Sequence, residues 1–171
     1  MIREEIIERA DDYLEKISEK DLEKYMKQVS SDQQAMVNYV NTMADVFEDE
    51  EEYYNKFIYF YLLIHRSYTN RFRFFPTISN NIIDKVEETD QKLFDSLMEK
   101  GEENFDKEFE NLLKKHPQKM LIDFITMDLY ENDIEQYDDN SLDLDNQIFF
   151  LLYTVINIYE ESLVESQKDI K

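Results

Sequence analysis

Histidine is the side chain that most often supplies acid–base or metal chemistry near neutral pH, and this sequence contains two, His65 and His116. Neither stands in a metal-binding pattern: a helical di-iron site needs Glu-x-x-His motifs, but Leu62 and Leu113 occupy the Glu positions here. We therefore expect His65 to lie on a partly buried helix. His116 precedes Pro117 at a predicted helix end, where it would interact with the negative end of the helix dipole.

The sequence also lacks the side chains and motifs that several other kinds of active or binding site require. The chain has no cysteine, which excludes disulfides, thiolate nucleophiles and zinc–thiolate sites, and its single glycine argues against glycine-rich phosphate loops. His-Glu-x-x-His and Gly-x-Ser-x-Gly motifs do not occur. The 40 acidic residues make carboxylate pairs common by chance, so such pairs do not identify general acid–base catalysis. The sequence therefore predicts a protein that is not an enzyme and uses no metal or cofactor.

One acidic segment, Asp139 to Asp145, has the alternating carboxylates of a calcium-binding loop. An EF-hand loop needs Gly at its sixth position and Glu at its twelfth, where this chain has Leu144 and Phe150. We interpret the segment as solvated and as part of an acidic connector over residues 131–145.

Charge is strongly segregated along the chain. No Asp or Glu occurs from Tyr53 to Ile83, a stretch that holds ten of the 24 aromatic residues, three of the five arginines and Lys56. No Lys or Arg occurs from Met120 to Gln167, which contains twelve acidic residues. Such segregation indicates that the arginines have a defined counter-charge.

Two hypotheses give that counter-charge. In the first, the arginines pair with acidic residues of 120–167 inside the monomer, because buried charges need partners and Arg suits carboxylates. In the second, they form a binding site with their aromatic neighbours for an anion or for an acidic or aromatic partner. The candidate binding residues are Arg66, Tyr68, Arg71, Phe72, Arg73 and Phe75.

The elements that position these residues are predicted to be helices, because apolar residues recur with helical spacing through most of the chain. We expect a single all-α domain over residues 1–171, a bundle of about eight helices. Ser31–Gln34 has the capping-box pattern that opens a helix. Gly101 suits a left-handed helix end, and Pro117 suits the first position of the next helix. The fourth and last helices, 53–70 and 146–166, should place Ile58, Leu62, Leu152, Val155 and Ile156 in the core.

The chain also shows signs of an internal repeat. Gln34, Met36, Thr42 and Met43 recur 84 residues later, and Tyr68 aligns with Tyr159 after an acidic insertion. This predicts two tandem four-helix units, 1–78 and 79–166, packed pseudo-symmetrically; the alternative is that amphipathic helices align by pattern alone.

The net charge of −21 disfavours nucleic acid and anionic membranes and favours a basic protein partner. With no apolar run long enough to span a bilayer and no signal-peptide pattern, we expect a cytoplasmic protein. The leading hypothesis is a non-enzymatic interaction protein, such as an inhibitor, immunity or anti-defence factor, or adaptor, that occludes a basic surface of its partner. The alternative is a helical sensor or carrier with an aromatic-lined pocket for a small molecule.

Overall fold

The computed structural model describes residues 1–131 and 139–168, which form eight α-helices and no strand. The predicted all-α bundle is therefore confirmed. The helices, in chain order, are α1 (Glu4–Lys16), α2 (Glu19–Asp32), α3 (Gln34–Ala44), α4 (Glu51–Arg71), α5 (Asn80–Met98), α6 (Glu102–Lys115), α7 (Lys119–Glu131) and α8 (Asp139–Lys168), with a 3₁₀ turn at Asp45–Phe47.

Local signals explain two of the helix boundaries. The side chain of Ser18 accepts a hydrogen bond from the backbone N–H of Asp21 and so caps the start of α2. Gly101 has a φ of 84° between α5 and α6, which confirms the predicted left-handed residue. A residue with a β-carbon would be strained at that φ.

Three boundary predictions were wrong. Ser31 lies in the last turn of α2, which continues to Asp32, so the predicted capping box does not form and α3 starts without a side-chain cap. Pro117 lies in the turn before α7. The predicted connector is helical from Asp139 onward, where α8 begins, while its residues 132–138 lie outside the described residues.

The core is built on α4 and α8, which pack against each other, with α1 and α3 on α4 and α5 and α7 on α8. Their central turns are buried on most faces, which fits the apolar runs in both helices. The predicted core residues Leu62, Leu152, Val155 and Ile156 are buried, and Ile58 is partly buried and packs against the same cluster.

Most helix contacts of the two halves correspond, although in the described part of the chain α5 packs on α6 while α1 makes no comparable contact with α2. The pairs α1–α4, α2–α3 and α3–α4 have the counterparts α5–α8, α6–α7 and α7–α8, and the cross-contact α1–α7 has the counterpart α5–α3. Buried residues also correspond along α1 and α5 and along α3 and α7: Ile7 with Ile83, Ala10 with Val86, Met36 with Leu121, Val40 with Ile125 and Ala44 with Leu129. This register differs by one residue from the predicted alignment of α3 with α7. The tandem repeat remains a prediction, and these correspondences support it.

No helix in the described part of the chain is both long enough and apolar enough to span a bilayer.

Candidate functional site

An open cleft of about 720 Å³ lies beside the C-terminal half of α4. One wall is the junction of α2 and α3, and the other is the segment 72–79 that leads into α5. We call it the aromatic cleft because Phe72, Phe74 and Phe75 line it. Its lining residues are Ser31, Asp32, Gln33, Gln34, Ala35, His65, Thr69, Phe72, Arg73, Phe74, Phe75, Thr77 and Ile78.

The side chain of Gln33 holds the two walls together. Its Nε2 donates to the carbonyl oxygen of Pro76 at 2.9 Å, and its Oε1 accepts from the backbone N–H of Ile78 at 2.8 Å. Gln33 is buried, so both bonds are shielded from competing water. The α2–α3 break therefore fixes the position of segment 72–79.

The aromatic wall has an anchored part and a free part. Phe75 packs on Tyr68 and Tyr159, with ring centroids 5.6 and 5.0 Å away, and Phe72 stacks on Tyr68 at 6.2 Å. Phe74, in contrast, is 83% exposed at the edge of the cleft. The cleft thus combines rings held by the core with one large apolar side chain open to a ligand.

His65 forms part of the cleft floor and is 4% exposed. Its Nδ1 is 2.9 Å from the hydroxyl of Tyr159, and its Nε2 has no hydrogen-bond partner within 1–131 and 139–168. Burial lowers the pKa of His65 to about 4, against a weaker opposing effect of the Asp32 carboxylate. The ring is therefore neutral at pH 7 and offers one polar nitrogen to the cleft.

The predicted binding residues separate into two groups. Phe72, Arg73 and Phe75 line the cleft, as the second hypothesis requires. Arg66, Tyr68 and Arg71 do not line it. Tyr68 is fully buried, and its hydroxyl donates to Glu160 Oε1 at 2.8 Å, so it supports the aromatic wall from behind.

The three arginines of this region have aromatic rather than acidic neighbours. The guanidinium carbon of Arg66 lies 4.0 Å from the centre of the Tyr13 ring and 5.4 Å from that of Tyr25. Arg71 and Arg73 are exposed, next to Phe72 and Phe74 respectively. None of the three forms an ion pair within the described residues, so the predicted pairing with acids of 120–167 is not found there. The acids of 132–138 lie outside the described residues.

Lys56 is the cation of the acid-free stretch that does meet a carboxylate. Its Nζ lies 2.9 Å from Oδ1 of Asp145, whose side chain is 1% exposed. Asp145 was predicted to belong to a solvated acidic loop; the structure instead buries it in the early turns of α8. This ion pair joins α4 to α8, so the Asp145 carboxylate has a lysine partner from a neighbouring helix and is not part of a solvated loop.

His116 is predicted to interact with the negative end of a helix dipole, and it does lie at the C-terminus of α6. Its Nδ1 accepts a hydrogen bond from the backbone N–H of Gln118 at 3.0 Å, which leaves the proton on Nε2. Nε2 then donates to Asn157 Oδ1 at 2.8 Å, and Asn157 Nδ2 donates to the buried carboxylate of Asp90. His116 therefore links α6 to α8 and, through Asn157, to α5.

Gln33 and His65 line the cleft but are not among the candidate binding residues, and the same is true of Asp32 and Phe74. Gln33 had no visible signal, because its role depends on a segment more than forty residues away in the chain. His65 had a signal that could have identified it: it precedes Arg66 inside the acid-free, aromatic-rich stretch. The sequence context of His65 predicts only a partly buried helical residue, although the candidate residues Arg66, Tyr68 and Arg71 follow it on the same helix.

The fold thus places an exposed arginine, several aromatic rings and a neutral histidine around an open cleft in an all-α bundle. No protein-family model, curated protein or solved structure matches this chain. Inference about function therefore depends on the residues themselves.

Proposed function

We propose that this is a non-enzymatic interaction protein whose acidic helical surface binds a basic surface of another protein, as an inhibitor, immunity or anti-defence factor, or adaptor would. The observation that carries the proposal is a run of carboxylates between α3 and α4, which we call the acidic junction. It comprises Asp45, Glu48, Asp49, Glu50, Glu51 and Glu52, all exposed.

The acidic junction differs from the other acidic surfaces in its density of charge: its six carboxylates lie within residues 45–52, and no Lys or Arg occurs between Lys27 and Lys56. On the helices, exposed carboxylates such as Asp12 and Glu88 pair with a lysine one turn away. Within the described residues, no carboxylate of the junction has such an ion pair, and the nearest lysine in sequence, Lys56, is engaged with Asp145. A cationic partner would therefore meet charge that the protein itself does not compensate.

Apolar side chains next to the acidic junction add contact area for a partner. Val46 is 62% exposed, and Tyr54 is also exposed one helical turn into α4. These two side chains and the unpaired carboxylates suit contact with the surface of a partner protein. Ring contacts supply affinity, while charge supplies orientation and a fast encounter. Such a surface could cover a basic site that would otherwise face nucleic acid.

The protonation state of His65 in the cleft supports a protein that is not an enzyme. His65 has its pKa lowered to about 4, so it would be a weak base at neutral pH. Such a ring suits hydrogen bonding to a ligand better than proton transfer.

The experiment is affinity capture from native lysate at low salt, with mass spectrometry and a salt-step elution, followed by measurement of Kd for the purified partner. Replacing Glu48, Glu50, Glu51 and Glu52 by Gln should weaken binding by about tenfold or more, because rim and interface charges govern steered association. The matched control replaces Glu4, Glu5, Glu8 and Glu15 of α1 by Gln, which changes the net charge equally. Equal loss in both variants, or salt-independent affinity, would contradict the proposal.

The aromatic cleft favours a second candidate function, a helical sensor or carrier of a small molecule. Its volume of about 720 Å³ lies within the range of ligand pockets, roughly 300–1,000 Å³. Apolar ligand binding should respond weakly to ionic strength, which separates this function from association through the acidic junction.

A further inference from the structure

We propose that the aromatic cleft binds a small monocarboxylate that carries an aromatic ring system. The proposal rests on the second candidate function and specifies its ligand class. It follows from three features of the cleft: the cation of segment 72–75, the rings on either side of that cation in the same segment, and the Nε2 of His65, which α4 places on the floor.

The cation is Arg73. It lines the cleft, is exposed, and has no ion pair within 1–131 and 139–168. A planar guanidinium is suited to a bidentate contact with a carboxylate, which is stronger than a contact between neutral groups. In a chain of net charge −21, the acid-free stretch around Arg73 is where an anion meets the least repulsion.

The opposite wall limits the charge of the ligand. Asp32, at the end of α2, lines the same cleft, and its carboxylate acts on His65 through space. A second negative group on the ligand would approach Asp32 and be disfavoured by repulsion between like charges. The cleft therefore suits one carboxylate directed toward Arg73 and an uncharged remainder.

The rings define that remainder. Phe72 and Phe75 are held against Tyr68, so their positions are fixed before a ligand arrives. Phe74 is 83% exposed beside them, and a ligand ring would cover it. Offset or edge-to-face contacts between aromatic rings contribute free energy beyond the apolar area that they bury. An aromatic body thus gains more from this wall than an aliphatic one.

The floor supplies one uncharged hydrogen-bonding group. His65 Nε2 is unpartnered in the described part of the chain, although the ring is 4% exposed and faces the cleft. Because His65 lines the cleft and this nitrogen has no protein partner in the described residues, a ligand or a water molecule can hydrogen-bond to it. A polar substituent on the ring system would reach it.

The test uses 2-naphthoate as the probe and its uncharged isostere 2-naphthamide as the comparison, with affinity from titration calorimetry and location from amide NMR shifts. We expect 2-naphthoate to bind more tightly, with shifts confined to residues of the cleft. Arg73→Gln should weaken it by about tenfold, since a charge-assisted hydrogen bond contributes about 1.5–3 kcal/mol and 1.4 kcal/mol is tenfold. Arg71→Gln is the matched control and should leave the affinity unchanged.

Three results would overturn the proposal: no binding of 2-naphthoate at millimolar concentration, equal affinity for the amide, or equal losses in Arg71→Gln and Arg73→Gln. A neutral probe, N-phenyl-1-naphthylamine, separates this failure from that of the second candidate function. If it binds in the cleft and Phe74→Ser weakens it while 2-naphthoate does not bind, the carboxylate is wrong and the small-molecule function stands. If neither probe binds, both fail.

Discussion

Tyr68 of α4 and Tyr159 of α8 pack ring against ring at the centre of the bundle, with centroids 4.8 Å apart, and each hydroxyl reaches the opposite helix. The Tyr68 hydroxyl donates to Glu160, and the Tyr159 hydroxyl lies 2.9 Å from His65 Nδ1. These are the residues that the predicted repeat aligned with each other, so the two aligned positions meet at the contact between the halves.

Removing the Tyr159 hydroxyl should destabilise the protein. Tyr159→Phe keeps the ring packing but leaves the buried Nδ1 of His65 without its partner, which costs about 1–3 kcal/mol in the free energy of unfolding. Urea unfolding measures the change. Tyr54→Phe, at an exposed position, is the control and should change stability by less than about 0.5 kcal/mol. A neutral result for Tyr159→Phe would mean that the hydrogen bond contributes nothing to stability.

The ion pair between Lys56 and Asp145 should matter more than the surface pairs. Lys56→Met removes the cation from a carboxylate that is 1% exposed, and breaking a buried pair typically costs about 3–5 kcal/mol. Because Lys56 is itself partly exposed, we expect a loss near the lower end of that range. Lys16→Met breaks the exposed pair with Asp12 and should cost about 0–1 kcal/mol. Thermal and urea unfolding of both variants would compare them; equal losses would show that burial of Asp145 has no energetic effect.

The arginines of the acid-free stretch should differ in their contribution to stability. Arg71 and Arg73 are exposed and have no ion pair in the described residues, so replacing both by Gln should change the unfolding free energy by less than about 0.5 kcal/mol. Arg66→Gln loses the contact with the Tyr13 ring and should cost about 0.5–2 kcal/mol. A large loss in the double variant would restore the hypothesis of internal counter-charges, with acids of 132–138 as the remaining partners.

Stability should fall on acidification because His65 is buried in its neutral form. Its folded pKa of about 4 lies below the value of roughly 6.5 of an unfolded chain, so below pH 6.5 the unfolded state binds a proton that the folded state does not. The stabilisation is present above pH 6.5 and is lost progressively down to pH 4, on the order of 3 kcal/mol. Unfolding at several pH values for the parent and His65→Gln measures it.

The difference between the two proteins isolates His65, because every other titrating group is common to both. Asp90, whose pKa is raised by burial, and Glu165, whose pKa is lowered to about 2 by its lysine contacts, contribute equally in the two curves. Parallel curves would show that His65 does not titrate differently in the folded and unfolded states.

Gln33 should control the segment 72–79. Gln33→Leu leaves the Ile78 amide and the Pro76 carbonyl without their partner, which should cost about 1–3 kcal/mol and speed hydrogen exchange at Ile78. Gln34→Leu is the control, since Gln34 is exposed on the adjacent position. Gln118, 85 residues later, likewise accepts through its Oε1 a hydrogen bond from a backbone N–H, that of Ile2, at 2.7 Å. Unchanged exchange at Ile78 in Gln33→Leu would contradict a role in fixing the wall.

The sequence was sufficient for the features that depend on local pattern. Helical spacing of apolar residues predicted the bundle, the two apolar runs predicted the central helices, and Gly101 predicted the left-handed helix end. These succeed because periodicity and backbone preference act over a few residues.

The predictions that were wrong concern features that depend on contacts between distant segments of the chain. Ser31–Gln34 has a valid capping pattern, but Gln33 instead bonds to Pro76 and Ile78, and α2 extends to Asp32. The sequence around Asp145 predicts a solvated loop, but in the fold α4 places Lys56 next to this carboxylate. Arg66 finds Tyr13 of α1 rather than a carboxylate. No local signal reports which helix a side chain will meet, so neither the cleft nor its lining could be derived from spacing alone.

The pairing of α4 with α8 has a consequence for synthesis of the chain on the ribosome. Tyr68 and its hydrogen-bond partner Glu160 are 92 residues apart, and translation at about 5–20 residues per second puts roughly 5–20 s between them. During that interval the face of α4 that α8 later covers, which includes His65 and Tyr68, has no native partner to pack against. Completion of the core therefore follows the emergence of the last helix, and the nascent first half is the species that chaperones would encounter.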